Sequence, residues 1–151
     1  MSMRVVLVPL FDTRGDPAAV HAAGHVARRF EGRIIGLFVR PDPTDVLPYV
    51  VEGVTPTILA ELIRKVNEAT ELRRAEAQRH FSAACGTVSI PVVEEAPTGA
   101  TGCIAQWEEV VGRREEVVPV RARLADLTIF GWDREESDFE RRRSSSRRTC
   151  W

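Results

Sequence analysis

The stretch RVVLVPLF at residues 4–11 decides the fold class of this chain. Its four apolar residues from Val5 to Val8 show no alternation of apolar and polar positions. Such a run is typical of a parallel strand that helices cover on both faces. Asp16 and Pro17 follow shortly afterwards, and this pair predicts the cap and the first turn of a helix. We therefore expect a strand that leads into a helix, the first half of an α/β unit.

The order of strand and helix repeats along the rest of the chain. Apolar residues recur at helical spacing in two long segments, and Gly32 and Gly86 predict where these helices end. Residues 87–102 contain two prolines and two glycines and are predicted as a loop, with a brief extended stretch at 90–93. We predict strands over residues 4–11, 33–40, 103–111 and 125–130, and helices over residues 16–32, 55–86 and 113–124.

This alternation predicts an α/β fold with right-handed crossovers, in which a Rossmann-like parallel sheet carries helices on both faces. Residues 103–111 mix polar and apolar side chains on both faces, so we expect them to form a partly exposed edge strand. Ligands of such sheets bind beyond the carboxyl ends of the strands, near the point where the strand order reverses. The chain therefore has the layout of a ligand-binding domain.

Length and composition indicate a single globular core. A chain of 151 residues has the length of one ordinary domain. Its 44% hydrophobic and 28% charged residues match a folded protein, and neither a long apolar run nor an arginine-led leader occurs. We expect a cytoplasmic protein without a membrane partner, with its α/β domain over residues 1–131.

Residues 132–151 differ from the rest of the chain. They show no apolar periodicity, and five arginines fall between Arg141 and Arg148. This composition predicts a disordered tail. A basic run in a tail rather than on a folded surface argues against nucleic acid as the main partner. It nevertheless leaves a second hypothesis open, a nucleic-acid-binding or protein-interaction adaptor that acts through the tail.

The histidines and cysteines show no metal-binding or catalytic pattern. His21 and His25 lie four positions apart, but no Glu stands between them, and His80 is distant in sequence. The three cysteines are odd in number and widely spaced, which indicates reduced thiols. No Gly-x-Ser-x-Gly turn occurs. We expect no metal ion, no catalytic residue and no enzymatic activity; an ATP hydrolase, the third hypothesis, would need a phosphate cradle that the sequence lacks.

Three motifs together resemble the universal stress protein family over residues 4–131. They are the run VVLVP at residues 5–9 with Asp12 and Thr13 after it, the run GLFV at residues 36–39, and the run ADLTIFG at residues 125–131. Their order and spacing around a long second helix carry the resemblance.

The resemblance implies a five-stranded parallel sheet of the adenine nucleotide alpha hydrolase-like kind, often dimeric, in a binding or regulatory protein of the stress response. Many members of the family bind ATP. By position, the resemblance assigns Asp12, Thr13, Val39 and Gly131 to adenine-nucleotide binding. Phe11 stands where the family aspartate falls, so Asp12 arrives one position late.

The sequence departs from the family after Gly131. Nucleotide-binding members continue with a glycine-rich loop that holds phosphates, whereas four acidic residues occur here between Asp133 and Asp138, and no glycine follows. We therefore expect ATP binding to be weakened or lost. The last helix and strand of the family are also missing, either in a shortened paralogue or through a broken reading frame.

Without that helix and strand, we expect apolar side chains of the first and fourth strands to be uncovered and the strand at 125–130 to have an unpaired edge. An unpaired edge of this kind predicts self-association or a homo-oligomer.

Overall fold

Strands and helices alternate along the chain in the computed structural model, which describes residues 4–43, 55–94 and 102–132. These ranges contain β1 (Val5–Leu10), α1 (Asp16–Phe30), β2 (Arg33–Arg40), α2 (Pro56–Thr87), β3 (Val92–Val93), β4 (Ile104–Val111), α3 (Arg114–Ala122) and β5 (Leu127–Thr128). The predicted order of strand and helix is confirmed. The predicted tail, and the predicted loss of a last helix and strand, concern residues after 132 and lie outside the described residues.

The five strands run parallel in one sheet with the order β3-β4-β2-β1-β5. The predicted α/β parallel sheet is therefore confirmed. The prediction that residues 103–111 form an edge strand is wrong, because β3 pairs with Ala105 and Gln106 on the outer side of β4. The brief extended stretch predicted at 90–93 is this additional strand. Among the described residues, no helix is long and apolar enough to cross a membrane.

The last strand, β5, is shorter than the predicted 125–130 and begins beside an aspartate that serves as a clamp. Asp126 Oδ2 accepts hydrogen bonds from the backbone amides of Arg4 and Val5, with N–O distances of 2.8 and 2.9 Å. These two hydrogen bonds lower the pKa of Asp126, and the bond from Val5 has the larger effect. The aspartate of the ADL run thus joins the start of β5 to the start of β1.

The larger core lies between the sheet and helices α1 and α2. Alternate residues of β1 point into it, because side chains along a strand alternate between the two faces of a sheet. Its buried members include Val6, Val8 and Leu10 of β1, Val20 and Ala23 of α1, Ile34 of β2, and Phe81 and Ala84 of α2.

A smaller core lies on the opposite face of the sheet, beneath α3. Its buried members are Leu7, Leu37, Val39 and Val118. Helices on both faces of the sheet are thereby confirmed. The expectation that apolar side chains of the first strand are uncovered is wrong for this face, because Leu7 and Pro9 are both buried.

The two ends of α1 differ from the sequence prediction. Gly15, not Asp16, is the N-cap residue, and Asp16 is the first residue of the helix. At the other end, Glu31 rather than Gly32 adopts the left-handed conformation, with a φ of 53°. The amide of Gly32 then donates to the Ala27 carbonyl at 2.8 Å. The stop at this position is therefore correct, but a different residue makes the turn.

Gly36 in the middle of β2 allows α2 to pack closely on the sheet. A Cβ atom at this position would lie 2.5 Å from Phe81 Cε2, so the Phe81 ring occupies the space that a side chain would take. The Phe81 ring also contacts Trp107, whose ring centroid is 5.9 Å away, and Trp107 stacks on Phe38 at 5.8 Å. These rings fix the position of α2 over β2 and β4.

An ion-pair network joins α2 to the same two strands near their carboxyl ends. Arg40 of β2 pairs with Glu71 of α2 and, at 3.4 Å, with Glu109 of β4. Arg74 Nε donates a hydrogen bond to Glu71 Oε2 at 3.0 Å. This hydrogen bond is the main reason that the pKa of Glu71 is lowered. All four side chains are partly exposed, so each pair contributes modestly on its own.

Substitution of Gly36 tests this packing. We expect Gly36→Ala to lower the free energy of unfolding by about 1–3 kcal/mol, because the added methyl group displaces the Phe81 ring. The control is Gly86→Ala in α2, where an added Cβ meets nothing within 4 Å. Removing a helical glycine there should raise stability by about 0.4–1 kcal/mol. Urea unfolding of both variants measures the difference; equal effects would contradict the packing.

Candidate functional site

The four residues assigned to nucleotide binding lie at one edge of the sheet. Asp12 and Thr13 follow β1, Val39 is near the end of β2, and Gly131 follows β5. Since β2 and β5 are the two neighbours of β1, the carboxyl ends of these three strands meet at one place. This edge is where ligands bind in sheets of this kind. The topology therefore brings the four positions together around the end of β1.

Asp12 lies in a strained backbone conformation beside α2. Its φ is 59°, in the left-handed region that Asp and Asn tolerate better than most residues. The pKa of Asp12 is raised, mainly by partial burial and to a smaller extent by the nearby Glu76 carboxylate. His80 and Arg73 act in the opposite direction. The Asp12 carboxyl thus faces charged groups of α2.

Asp16 organises the loop between β1 and α1. Its carboxylate is 3% exposed and accepts three hydrogen bonds. The amides of Phe11 and Thr13 donate to Oδ2 at 3.0 and 3.2 Å, and the Thr13 hydroxyl donates to Oδ1 at 2.8 Å. The polar groups of Thr13 are therefore used within the loop. Sequence reasoning treated Asp16 as a helix cap and missed this role.

The segment after β5 lies directly against the start of α1. A Cβ atom on Gly131 would lie 2.7 Å from the Gly15 carbonyl carbon and 2.8 Å from the Asp16 amide nitrogen. A Cβ atom on Gly15 would lie 2.5 Å from the Trp132 amide nitrogen. Only glycine allows two backbones to approach so closely. The N-terminus of α1 is thus covered by residues 131 and 132 and lies beside the Asp16 carboxylate.

Val39 can contribute only its backbone at this edge. Its side chain is 2% exposed and packs in the smaller core with Leu37 and Val118. The assignment of Val39 to adenine-nucleotide binding, which the family resemblance implies through the backbone at the end of the second strand, stays a prediction.

Two aromatic rings and a guanidinium form a column at the same edge, which sequence reasoning did not identify. The rings of Phe11 and Phe130 are parallel within 6°, with their centroids 6.3 Å apart. Arg114 Cζ lies 5.2 Å from the centroid of Phe11. The one signal in the sequence was the presence of Phe11 at the position of the family aspartate.

The described residues contain no group of three or more His, Cys, Asp and Glu side chains placed to hold a metal ion. His21 is partly buried, and its Nε2 atom has no hydrogen-bond partner.

Cys85 and Cys103 are closer than their spacing in the sequence suggests. Both are free thiols, and Cys103 packs against the core cluster that contains Cys85. Burial is the main cause that raises the pKa of Cys85 to about 11, and the charge interaction with Cys103 adds a smaller effect. Burial also raises the pKa of Cys103. Both thiols are consequently protonated at neutral pH and are poor nucleophiles.

A depression of about 900 Å³ lies along α2, away from the assigned positions in sequence. Its described lining includes Ile63, Asn67, Leu72 and Ala75, all from this one helix. Because all of its described lining residues come from one helix, we do not assign a ligand to this depression.

Comparison with solved structures shows the fold. No family model and no curated protein matches the sequence. The universal stress protein UspA from Lactobacillus plantarum matches with a TM-score of 0.57 at 17% identity, over 89% of this chain and 82% of that chain. This chain therefore has the universal stress protein fold, as the sequence motifs implied.

Two further structures with lower scores are named as members of the same family. A protein from Burkholderia pseudomallei has a TM-score of 0.47 at 20% identity, over 96% of this chain and 91% of that chain. A universal stress protein in complex with cAMP has a TM-score of 0.43 at 19% identity, over 85% and 76% of the two chains.

Substitution of Asp16 tests the organisation of the loop. We expect Asp16→Asn to lower the free energy of unfolding by about 2–3 kcal/mol, because an amide places donor hydrogens against groups that donate to the carboxylate. The matched control is Asp12→Asn, which retains the left-handed backbone and should change stability by less than about 0.5 kcal/mol. Urea unfolding at pH 7 compares them. A loss for Asp12→Asn as large as for Asp16→Asn would refute the assignment.

Proposed function

We propose that this chain is a universal stress protein-like module that binds a ligand or regulates a partner rather than catalysing a reaction, and that it binds ATP weakly or not at all. The observation that carries the proposal is the covered N-terminus of α1. The backbone of residues 131 and 132 lies against Gly15, and the Asp16 carboxylate fills the adjoining loop.

A triphosphate fits these residues poorly. Helix N-termini bind phosphate through free amide groups and the positive end of the helix dipole. In the loop that leads into α1, the amides of Phe11 and Thr13 donate to the Asp16 carboxylate, whose charge repels an anion, and the amide of Asp16, the first residue of the helix, donates to the Thr13 carbonyl. Asp12 adds a second carboxyl group at the same edge. The assigned adenine-nucleotide positions thus come together without an open place for phosphates at α1.

The absence of catalysis is part of the proposal and is supported by the chemistry of the described side chains. The described thiols have raised pKa values, so they do not offer a thiolate at neutral pH. The hydroxyl of Thr13 is engaged with Asp16. These groups hold the fold together and are not poised for nucleophilic attack.

Thermal unfolding with Mg-ATP tests the proposal. Because ligand binding stabilises a protein by RT ln(1 + [L]/Kd), millimolar Mg-ATP should raise the melting temperature by less than about 1 °C. Magnesium chloride with inorganic tripolyphosphate at equal ionic strength is the control for charge effects. A saturable rise of several degrees with Mg-ATP, absent with the control, would overturn the proposal.

We also propose that the chain self-associates through β5. In the described part of the chain, β5 lies at one end of the strand order, with β1 as its only neighbour. Phe130 just after it is 55% exposed. A free strand edge beside exposed apolar surface favours pairing with another chain, here a second copy.

Sedimentation equilibrium tests this association. We expect the mass of the wild-type protein to rise above that of one chain as concentration increases. Thr128→Lys, which places a charge on the edge strand, should shift the protein toward the monomer. Val120→Lys, at an exposed apolar position on α3, should not. A wild-type monomer at every concentration would exclude association through β5.

A further inference from the structure

The amino-terminal edge of the sheet, opposite the carboxyl edge, carries a row of arginines. The strands begin at this edge, and helices α1 and α3 end there, because each helix returns the chain to the start of the next parallel strand. The arginines at these helix ends and strand starts are all exposed, and we call them the arginine row: Arg4, Arg28, Arg29, Arg33 and Arg123.

The arginine row follows the order of the strands. The amide of Arg33, at the start of β2, donates a hydrogen bond to the carbonyl of Arg4, just before β1, at 2.8 Å. Arg28 lies close enough to Cys103, just before β4, to oppose the rise in the pKa of that thiol that burial causes. Arg123 lies a few residues before β5. The row therefore extends across four neighbouring strands, which are about 4.8 Å apart in a sheet.

Most of the arginine row is not neutralised by ion pairs. Within the part of the chain that the structure describes, four members form no ion pair: Arg28, Arg29, Arg33 and Arg123. The negative end of the helix dipole accounts for Arg28 and Arg29, which lie in the last turn of α1. It does not account for Arg33, which begins a strand. Positive charge is thus concentrated at one edge of a chain whose net charge is −1.

Two carboxylates lie among the arginines and bear on the kind of partner. Glu31 is exposed between α1 and β2, and Asp126 accepts hydrogen bonds from the amides of Arg4 and Val5. A nucleic acid strand carries a negative charge at every phosphate, so it would bring phosphates against these carboxylates as well. An extended peptide can place neutral side chains there and acidic side chains opposite the arginines. The interrupted charge of this edge therefore favours an acidic protein segment.

The guanidinium group suits such a segment. It is planar and binds a carboxylate through two parallel hydrogen bonds, whereas the ammonium group of lysine acts as a point charge. Complementary charges across an interface select the partner and speed its approach more than they raise affinity. We therefore expect a contact of modest affinity that weakens as salt rises.

We propose that the arginine row binds an acidic segment of a partner protein, with carboxylates of the segment paired to the guanidinium groups along the amino-terminal edge. The inference rests on the proposed function, a module that binds a ligand or regulates a partner, and names the chemistry of that partner. The row lies at the opposite end of the strands from the four positions assigned to nucleotide binding. A partner bound there leaves the carboxyl edge open.

The experiment is a fluorescence anisotropy titration of a labelled peptide of alternating glutamate and serine with the full-length chain. We expect saturable binding that weakens about tenfold in the double variant Arg33→Gln, Arg123→Gln, because two charge-assisted contacts are removed. The matched control is Arg64→Gln, Arg79→Gln, which removes the same charge from α2 at side chains that are 57% and 72% exposed. At about 0.1 M salt, where distant charges are screened, the control should bind within about threefold of the wild type.

Two further controls separate the arginine row from other sources of binding. A labelled peptide of alternating glutamine and serine shows whether charge is required, and we expect it not to bind. A full-length variant with glutamine in place of the five arginines between Arg141 and Arg148 shows what the tail contributes. We expect peptide binding by this variant to retain its dependence on Arg33 and Arg123. Circular dichroism checks that each variant is folded.

Four results would overturn the inference. The first is a wild-type protein that binds the acidic peptide no better than the neutral one, and the second is an equal loss in the two double variants. The third is loss of binding on substitution of the tail arginines alone. The fourth is an oligothymidylate of equal charge that binds more tightly than the peptide and depends on Arg33 and Arg123, which would assign the row to nucleic acid.

The result is separable from that of the proposed function. Saturable stabilisation by Mg-ATP, equal in the wild type and in the double variant Arg33→Gln, Arg123→Gln, would refute the proposed lack of ATP binding and leave the arginine row untouched. Peptide binding that does not depend on the row, together with no stabilisation by Mg-ATP, would refute the inference and leave the proposed lack of ATP binding intact.

Discussion

The close contact between Gly36 and Phe81 is the constraint on which the positions of the other elements depend. A ring pressed against the backbone of β2 fixes both the height and the rotation of α2. That rotation brings Glu71 to Arg40 at the end of β2 and places Glu76 and His80 within electrostatic reach of Asp12. The glycine at position 36 thus connects the packing of the core with the electrostatics of the carboxyl edge.

The carboxyl edge shows how a fold can retain its layout while its chemistry changes. Parallel strands bring their ends together regardless of the side chains that follow, so the edge exists in any chain with this topology. What the edge can bind is set by local contacts. Here Asp16 satisfies the amides of its own loop, and Gly15 and Gly131 allow two chain segments to touch. These contacts join the loop after β1 to the segment after β5, and the side chain of Phe130 lies exposed beside them.

The fold could be predicted from the sequence wherever a periodic pattern or a strong punctuating residue existed. The apolar run of β1, the proline at the start of α2 and the alternation of elements were sufficient for the parallel sheet. Contacts between distant segments were not accessible in this way. Nothing in the spacing of Cys85 and Cys103 shows that they share a core, and nothing near Asp16 shows that its carboxylate turns toward Phe11 rather than toward the helix. β4 is not an edge strand because β3 pairs with it, and β3 has only two residues. Two residues are too few for an alternating apolar pattern to be recognised in the sequence.

The clamp that Asp126 forms with Arg4 and Val5 has a consequence for the synthesis of the chain on the ribosome. The hydrogen bond to Arg4 spans 122 positions, so β1, which lies inside the finished sheet, receives its second neighbour β5 only after more than a hundred further residues have been synthesised. At about 5–20 residues per second, the nascent β1 waits on the order of 6–24 s with one side unpaired. During that interval its apolar run has an unpaired strand edge, which favours contact with other chains. Translation speed and chaperone supply, as much as native contacts, therefore bear on how much folded protein a cell obtains from this sequence.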